Sequence, residues 1–317
     1  MKRTLKIVGI SFICIIFMVS IFSIRGMAQG FWNRNTDVIQ NPVLTDDLDI
    51  DENEDIDEVD EIIEEEIVEI DDNEEEIIID NDSKKEEKKV IIPDGSKKVF
   101  LTFDDGPTKL TPKILDILKE NDVQATFFTI GRLLVANQDI AIRAYEEGNM
   151  ILPHSYSHNY AIYSTFETFY DDFYAAERAI EDVMGYESPP IFRFPGGSSN
   201  HSSFDFGGPQ FMPLLTEDIK EKDYYYIDWN VSSGDAGPDY NDGDKMLHNI
   251  INTSKGKDFI VILFHDVDKN REMARILPEV IEYYRDNGYM FRTFKDITEE
   301  ELDQMVTLKL SNKPIIR

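Results

Sequence analysis

One cysteine, Cys14, occurs in 317 residues. A disulfide framework and a cysteine-rich zinc module are both excluded, so any metal must be held by His, Asp or Glu. Histidine is itself scarce, with five in the chain. Basic residues are also outnumbered: 32 Lys and Arg face 63 Asp and Glu, for a net charge of −31. Phosphate binding needs a basic face, which argues against nucleic acid as a partner. The deficit is concentrated. From Asp46 to Asp82 there are 22 acidic residues and no Lys or Arg, about two thirds of the whole imbalance. After Trp32, aromatic residues and Gly-Pro turn chemistry are almost missing up to residue 92. Overall, 41% of the residues are hydrophobic, enough for a sizeable core elsewhere in the chain.

Three zones follow from these gaps. Residues 1–25 read as a cytoplasmic tip and a transmembrane anchor. Lys2, Arg3 and Lys6 precede an uncharged run from Ile7 to Ile24, closed by Arg25. Eighteen apolar-dominated residues approach the ~20 that cross a bilayer as a helix. The basic cluster predicts a cytoplasmic N-terminus and an extracytoplasmic remainder, a single-pass cell-membrane protein. The alternative is secretion after cleavage of a signal peptide. The apolar run exceeds the usual ~7–15 residues, and "GMAQG" is a poor cleavage site. Cys14 lies inside the run, as a packing residue and not a lipid attachment site. Residues 26–95 read as an acidic, mostly disordered spacer. Its blocks, as in "EIIEEEIVEIDDNEEEIIID", repel themselves and match no EF-hand loop. No protein partner is inferred for it.

Residues 96–317 have the texture of an α/β domain. Strands are predicted at Val99–Phe103, Ala125–Ile130, Met150–Leu152, Ile191–Phe194, Tyr225–Trp229, Phe259–Phe264 and Tyr289–Phe291. Helices are predicted at Pro112–Asn121, Asp139–Glu147, Phe166–Met184, Pro213–Lys222, Asp244–Thr253, Glu272–Asn287 and from Thr298, with Asp244 as an N-cap. Apolar strands alternating with helices imply a parallel sheet or a (β/α) barrel.

In such a fold, function gathers at the C-terminal ends of the strands. Five strand ends carry unusual polar groups: "TFDDGP" from Thr102, "HSYSH" from His154, "FRFPGG" from Phe192, "DWNVSSGDA" from Asp228, and "LFHD" from Leu263. His154 and His158 are four apart, which on a helical turn puts both imidazoles on one side. By itself this pair reads as capping or core histidine. With an adjacent Asp104–Asp105 pair it becomes a two-His, one-Asp metal site with room for water. One carboxylate would bind the metal and the other would take a proton. Arg193, between two Phe residues, needs a carboxylate partner. Gly196 and Gly197 let backbone N–H groups approach an oxyanion. His265 is a general-acid candidate, kept protonated by a carboxylate for which Asp235 is the best choice. His201 is read as an exposed loop residue, and His248 receives no role.

These five groups, in this order, resemble the five motifs of the polysaccharide deacetylases, carbohydrate esterase family 4, over roughly Lys97–Thr293. The resemblance implies a distorted (β/α)7 barrel and metal-dependent removal of acetyl groups from carbohydrate. It implies Asp104 as general base, Asp105, His154 and His158 as ligands of one divalent metal (zinc first, cobalt or manganese otherwise), and Arg193 orienting Asp104. It further implies His265 as general acid tuned by Asp235, with Leu263 lining the acetyl pocket. Two departures stand out. Gly196 replaces an aromatic residue, although its backbone donor survives. Ala236 follows Asp235 where Trp is usual, so the acetyl pocket is either more open or filled by Trp229 or Phe264.

An anchored enzyme suits a polymer near the cell surface. The expected substrate is therefore an acetylated polysaccharide, first of all the N-acetylglucosamine of peptidoglycan. The "RFPGGSSN" form also looks like peptidoglycan deacetylases of Gram-positive type. Chitin-like oligomers, xylan or an exopolysaccharide are the alternatives within the class. A carbohydrate-binding pseudoenzyme is the alternative outside it, disfavoured because binding alone does not require both Asp104 and His265.

Overall fold

The computed structural model describes residues 96–317. The expected anchor and spacer lie outside the described residues. Among the described residues no helix is long and apolar enough to cross a membrane.

The centre of the domain is β1 (Lys97–Asp104), buried from Val99 onward. It pairs in parallel along its length with β7 (Phe259–His265). On its other edge it pairs with β8 (Tyr289–Arg292) at its start and with β2 (Thr126–Ile130) at its end. β3 (Met150–Ser155) pairs with β2, and β6 (Val231–Ser232) with β7. The main sheet therefore runs β3-β2-β1-β7-β6, all parallel. A separate parallel pair, β4 (Ile191–Phe192) and β5 (Tyr225–Tyr226), spans the gap between its outer strands. Arg193 N–H donates to Pro153 O at 3.1 Å on one side, and Asn230 N–H to Val261 O at 3.1 Å on the other. The result is a barrel-like α/β domain with sparse hydrogen bonding on the β4–β5 side.

Strand alternation divides the residues between two faces. Val99, Leu101 and Phe103 of β1, Phe127 of β2, Ile151 of β3, and Ile260, Ile262 and Phe264 of β7 form one cluster. They pack against helices α1 (Thr111–Glu120), α6 (Gly243–Ser254) and α7 (Arg271–Asp286). The intervening residues Phe100, Phe128, Leu152 and Val261 face the opposite way, into an inner cluster closed by Met305 of α8 (Glu299–Thr307). Asp104, His154, Leu263 and His265 continue this inner series at the strand ends. A third cluster joins Phe192 and Phe194 to Phe169 and Phe173 of α4 (Phe166–Met184) and Leu215 of α5 (Phe211–Glu221).

Several sequence expectations are corrected. Gly131–Ala136 forms an additional short helix, α2, before α3 (Gln138–Glu146). β4 is shorter than expected, the strand expected at Tyr225–Trp229 shortens to β5, and β6 is an additional strand at Val231–Ser232, where the chain has left β4 to pair with β7. Asp242, not Asp244, caps α6, its side chain accepting from Lys245 N–H at 3.1 Å. Gly243 lets the chain close onto Arg275 and Ile276 of α7, which pushes the helix start forward by one residue.

Candidate active site

β1 ends at Asp104, which is 3% exposed, and Asp105 follows at φ 76°, in the left-handed region. Such a conformation is strained for a non-glycine residue. Both carboxylates approach His154 Nε2, Asp104 Oδ2 at 3.9 Å and Asp105 Oδ1 at 3.6 Å, but their closest partners differ. Asp104 Oδ1 accepts from Arg193 Nη1 at 2.7 Å. Asp105 Oδ1 lies 3.2 Å from His158 Nε2 and 3.6 Å from His154 Nε2.

Arg193 is fully buried. Its Nη1 also donates to Thr102 Oγ1 at 2.8 Å, and its Nε to Ile227 O at 2.9 Å. The guanidinium carbon sits 4.2 Å from the Phe128 ring centroid and 5.7 Å from that of Trp229. Stacking and hydrogen bonding together hold the fork against Asp104. Trp229 also lies against Gly197, where an added Cβ would come within 2.9 Å of the indole. Gly196 and Gly197 both adopt positive φ, and Gly197 N–H closes a turn onto Phe194 O at 2.8 Å.

His154 and His158 converge, but not through a helical turn. His154 is the extra residue of a bulge, since Thr129 pairs with Pro153 and Ile130 with Ser155. Bulges re-aim side chains at sheet ends in this way. His158 follows after a tight loop, at φ 54°. That loop is held by Asp172 of α4, which accepts from Tyr156 N–H and Ser157 N–H at 2.9 Å each and from Ser155 Oγ at 2.5 Å. Sequence reasoning missed Asp172, because an acid on a long helix reads as a solvated face.

The His154 Nδ1 lies 2.8 Å from Arg193 O, a carbonyl that can only accept. The proton is therefore on Nδ1, and Nε2 is left as a free base aimed at Asp105. Burial pushes His154 below its ordinary value, against the pull of Asp104 and Asp105, which suits a neutral ligand. Asp105 Oδ1 is buried and has no hydrogen-bond partner. One ligand atom from each of Asp105, His154 and His158 lies within 4.8 Å of the others. An orphaned carboxylate oxygen facing two imidazole nitrogens fits a divalent cation, which would satisfy all three at once.

His265 sits in register with Asp104 across the β1–β7 ladder. Its Nδ1 and its backbone N–H both engage Asp235, at 2.8 Å and 2.7 Å. Burial lowers its pKa, but the hydrogen bond and charge of Asp235, with Asp104 and Asp105 adding to them, raise it to about 9. Asn270, also unforeseen, is fully buried and donates to Asp235 Oδ2 at 3.2 Å and His265 O at 3.0 Å. Leu263, 4% exposed, is two residues before His265 on the same face. Phe264 points to the other face, stacked on Phe103 at 5.1 Å, and so cannot fill an acetyl pocket. Asp266 turns away as well. It accepts from Thr108 and Thr111 hydroxyls at 2.9 and 2.5 Å and braces the loop after Asp105, while burial raises its carboxyl to about 6. His201 and His248 are exposed and remote in role, paired with Arg317 and Asn252.

A parallel α/β fold with a carboxylate–imidazole cluster and a paired acid and base at its strand ends is the build of a hydrolase. Comparison with known proteins names the kind. Residues 92–206 match the polysaccharide deacetylase family. The chain is 27% identical to the peptidoglycan-N-acetylglucosamine deacetylase of Listeria monocytogenes over 65% of its own length, and spans 40% of that protein. It superposes on the catalytic domain of a peptidoglycan N-acetylglucosamine deacetylase from Eubacterium rectale with a TM-score of 0.59 and 34% identity, covering 66% of this chain and 91% of that one. A CE4 esterase of Streptococcus mutans gives a TM-score of 0.55 and 30% identity, covering 63% and 86%. The chain belongs to the polysaccharide deacetylases of carbohydrate esterase family 4, hydrolases of the amide bonds of acetylated sugars.

Proposed function

We propose that this protein is a metal-dependent deacetylase of a cell-surface polysaccharide, with peptidoglycan N-acetylglucosamine as its substrate. The observation that carries the reading is the orphaned Asp105 Oδ1 facing His154 and His158, beside the Arg193-bound Asp104. A divalent ion held by Asp105, His154 and His158, zinc first and cobalt or manganese otherwise, would supply Lewis acidity for the acetyl carbonyl and the attacking water.

The chain's own residues then divide the work. Asp104 takes the proton of the attacking water, its free oxygen aimed by the Arg193 fork on the other. The Gly196 backbone N–H donates to the oxyanion that develops on the acetyl group. His265 gives its proton to the amine nitrogen, a poor leaving group until protonated, while Asp235 holds the ring. Leu263 walls the acetyl pocket, and Trp229 covers the open side left by Ala236. The parallel main sheet and the β4–β5 pair that bridges its outer strands support a distorted (β/α)7 barrel occupying residues 96–317.

The relatives' named substrate supports peptidoglycan over chitin-like oligomers, xylan or an exopolysaccharide. So does the apolar run after Lys6, which we read as a single-pass anchor with the domain extracytoplasmic and residues 26–95 as spacer. Acetate release should be measured with the full chain on N-acetylglucosamine oligomers and on wall fragments analysed by mass spectrometry, with and without chelator. Release by wild type, lost with chelator and in Asp104→Asn, is expected. No release on any acetylated glycan with any of the three metals would favour the carbohydrate-binding pseudoenzyme. Membrane fractionation and N-terminal sequencing separate an anchored chain from a cleaved, secreted one.

A further inference from the structure

Asp228 sits at the C-terminal end of the β5 segment, 6% exposed, and no step of the chemistry uses it. Its carboxylate is nonetheless fully engaged. Oδ1 accepts from Ser198 N–H at 2.9 Å, and Oδ2 from Ser198 Oγ at 2.5 Å. Oδ2 is also 2.7 Å from Lys313 Nζ. Ser198 directly follows Gly196 and Gly197, the backbone that lines the candidate oxyanion site. An added Cβ at Gly197 would lie 3.2 Å from Asp228 Oδ1, so the carboxylate is packed beneath the loop as well as bonded to it.

The cation comes from the last segment of the chain. Asp228 N–H donates to Leu310 O at 2.7 Å, and Ile227 makes an antiparallel bridge with Ser311. Tyr226 Oη donates to Lys313 O at 2.6 Å, and Asn312 Nδ2 to Tyr224 O at 3.1 Å. Further on, Arg317 Nη2 donates to Asn200 O at 2.7 Å, and its guanidinium lies 5.0 Å from the Phe204 ring centroid. Asn200 Nδ2 in turn donates to Gly197 O at 2.9 Å. The same segment thus reaches the peptide group that leaves the glycine turn from two sides, its Ser198 N–H through Asp228 and its Gly197 carbonyl through Asn200. A turn of two positive-φ glycines has little rigidity of its own, so its backbone donors keep a fixed direction only if something outside holds them.

We infer that Asp228, neutralised by Lys313, is a positioning residue that locks the Gly196–Gly197 turn in the geometry needed to bind the acetylated sugar, which makes residues 310–317 a working part of the substrate site. The inference rests on the deacetylase reading for its substrate. Its mechanical part, the coupling of Lys313 to the turn, does not.

The test uses the full chain with Lys313→Met, Lys313→Arg and Asp228→Asn. Lys313 is partly exposed, so its variants should fold even where Asp228→Asn does not. Amide hydrogen exchange is followed over residues 194–200, and KM and kcat for acetate release from an N-acetylglucosamine tetramer are measured. Lys313→Met should speed exchange in that segment and weaken turnover, with KM raised about tenfold, as loss of one charge-assisted hydrogen bond does, and kcat lowered as well, because the Gly196 N–H serves the developing oxyanion. Lys313→Arg should restore both. Unchanged exchange, or faster exchange with a wild-type KM, overturns the inference. So does a loss of activity that tracks a lowered unfolding midpoint and is not mended by Arg. If the wild type releases no acetate, the functional reading fails separately, and exchange together with calorimetric binding of the tetramer decides the positioning role.

Discussion

Asp235 grips His265 at two points: Oδ1 meets the ring Nδ1 at 2.8 Å, and Oδ2 accepts the backbone N–H at 2.7 Å. Ring direction and tautomer are thereby set together, with Nε2 left to face the site. The pKa of about 9 against an ordinary 6.5 gives a definite sign. A raised folded value means that the stabilisation is full below about 6.5 and is lost as pH rises through about 9. The proton is therefore in place at neutral pH, and kcat/KM should fall on the basic side. A cation at Asp105 cancels part of the carboxylate pull, so this limb should lie below 9 in the metal-loaded protein and near 9 in an NMR titration of the chelated protein. Asp235→Asn should move both downward by more than one pH unit. An unmoved limb would remove Asp235 from the mechanism.

Metal binding should be visible without any turnover. Asp105 Oδ1 is buried without a hydrogen-bond partner and faces the His154 and His158 imidazoles. Zinc should therefore raise the thermal midpoint of the wild type in a concentration-dependent way, by linkage to the folded state. Asp105→Ala should lose that response and its stoichiometric metal, measured by scanning calorimetry and elemental analysis. Equal responses in both proteins would place the ion elsewhere.

Arg193→Met should destabilise the domain by about 3–5 kcal/mol in urea unfolding, because it leaves the buried Asp104 carboxylate without its cation. Arg193→Lys should not restore the wild-type value. A single ammonium cannot meet Asp104, Thr102 and the Ile227 carbonyl while lying flat on Phe128. Full recovery with Lys would mean that charge alone matters at this position.

Asp172→Ala should weaken metal affinity roughly 10–100-fold, the usual effect of removing a group that orients a ligand. Asp172 touches no metal ligand side chain. It fixes the backbone between Ser155 and Ser157, and with it the approach of His158. Isothermal titration with zinc reads the effect directly. An unchanged affinity would show that the loop keeps its shape unaided.

Phe264→Ala should cost roughly 3–5 kcal/mol of stability, as for other large buried aromatics. KM for the acetylated oligomer should stay at its wild-type value, because the ring stacks on Phe103 on the helix-facing side of the sheet. A raised KM would return Phe264 to the acetyl pocket.

Much of this was legible in the sequence because its determinants are local. The run Phe259–Phe264 has no place except a doubly buried strand, and Gly185 stops α4 where a left-handed residue is needed, at φ 75°. The alternation of β1 and β7 contains the rule that separates Leu263 and His265 from Phe264. Other features were not local. "NDGD" offers two capping aspartates, and only the packing of Gly243 on α7 selects Asp242. The four-residue spacing of His154 and His158 suggested a helical turn, whereas a β-bulge and the Asp172 clamp bring the rings together. Asp172, Asn270 and Asp228 are polar residues of ordinary appearance, and the partners that give them a role, Ser157, Asp235 and Ser198, lie 15, 35 and 30 positions away in the chain.

The sequence by itself determined the parts: which strands are buried, which polar groups stand at their ends, and that Asp, His and Arg must carry the chemistry in a chain with one cysteine. Periodicity and residue chemistry are properties of neighbours, so they can be read along the chain. Only the tertiary structure decided how those parts meet. Two adjacent carboxylates, the second at positive φ, share His154 but find different closest partners, Arg193 for Asp104 and His158 for Asp105. Burial lowers one imidazole and a buried aspartate raises another. The last residues of the chain return to brace the glycine turn of the site. These outcomes depend on dielectric environment and on contacts between distant segments, and both come into being only when the chain has folded.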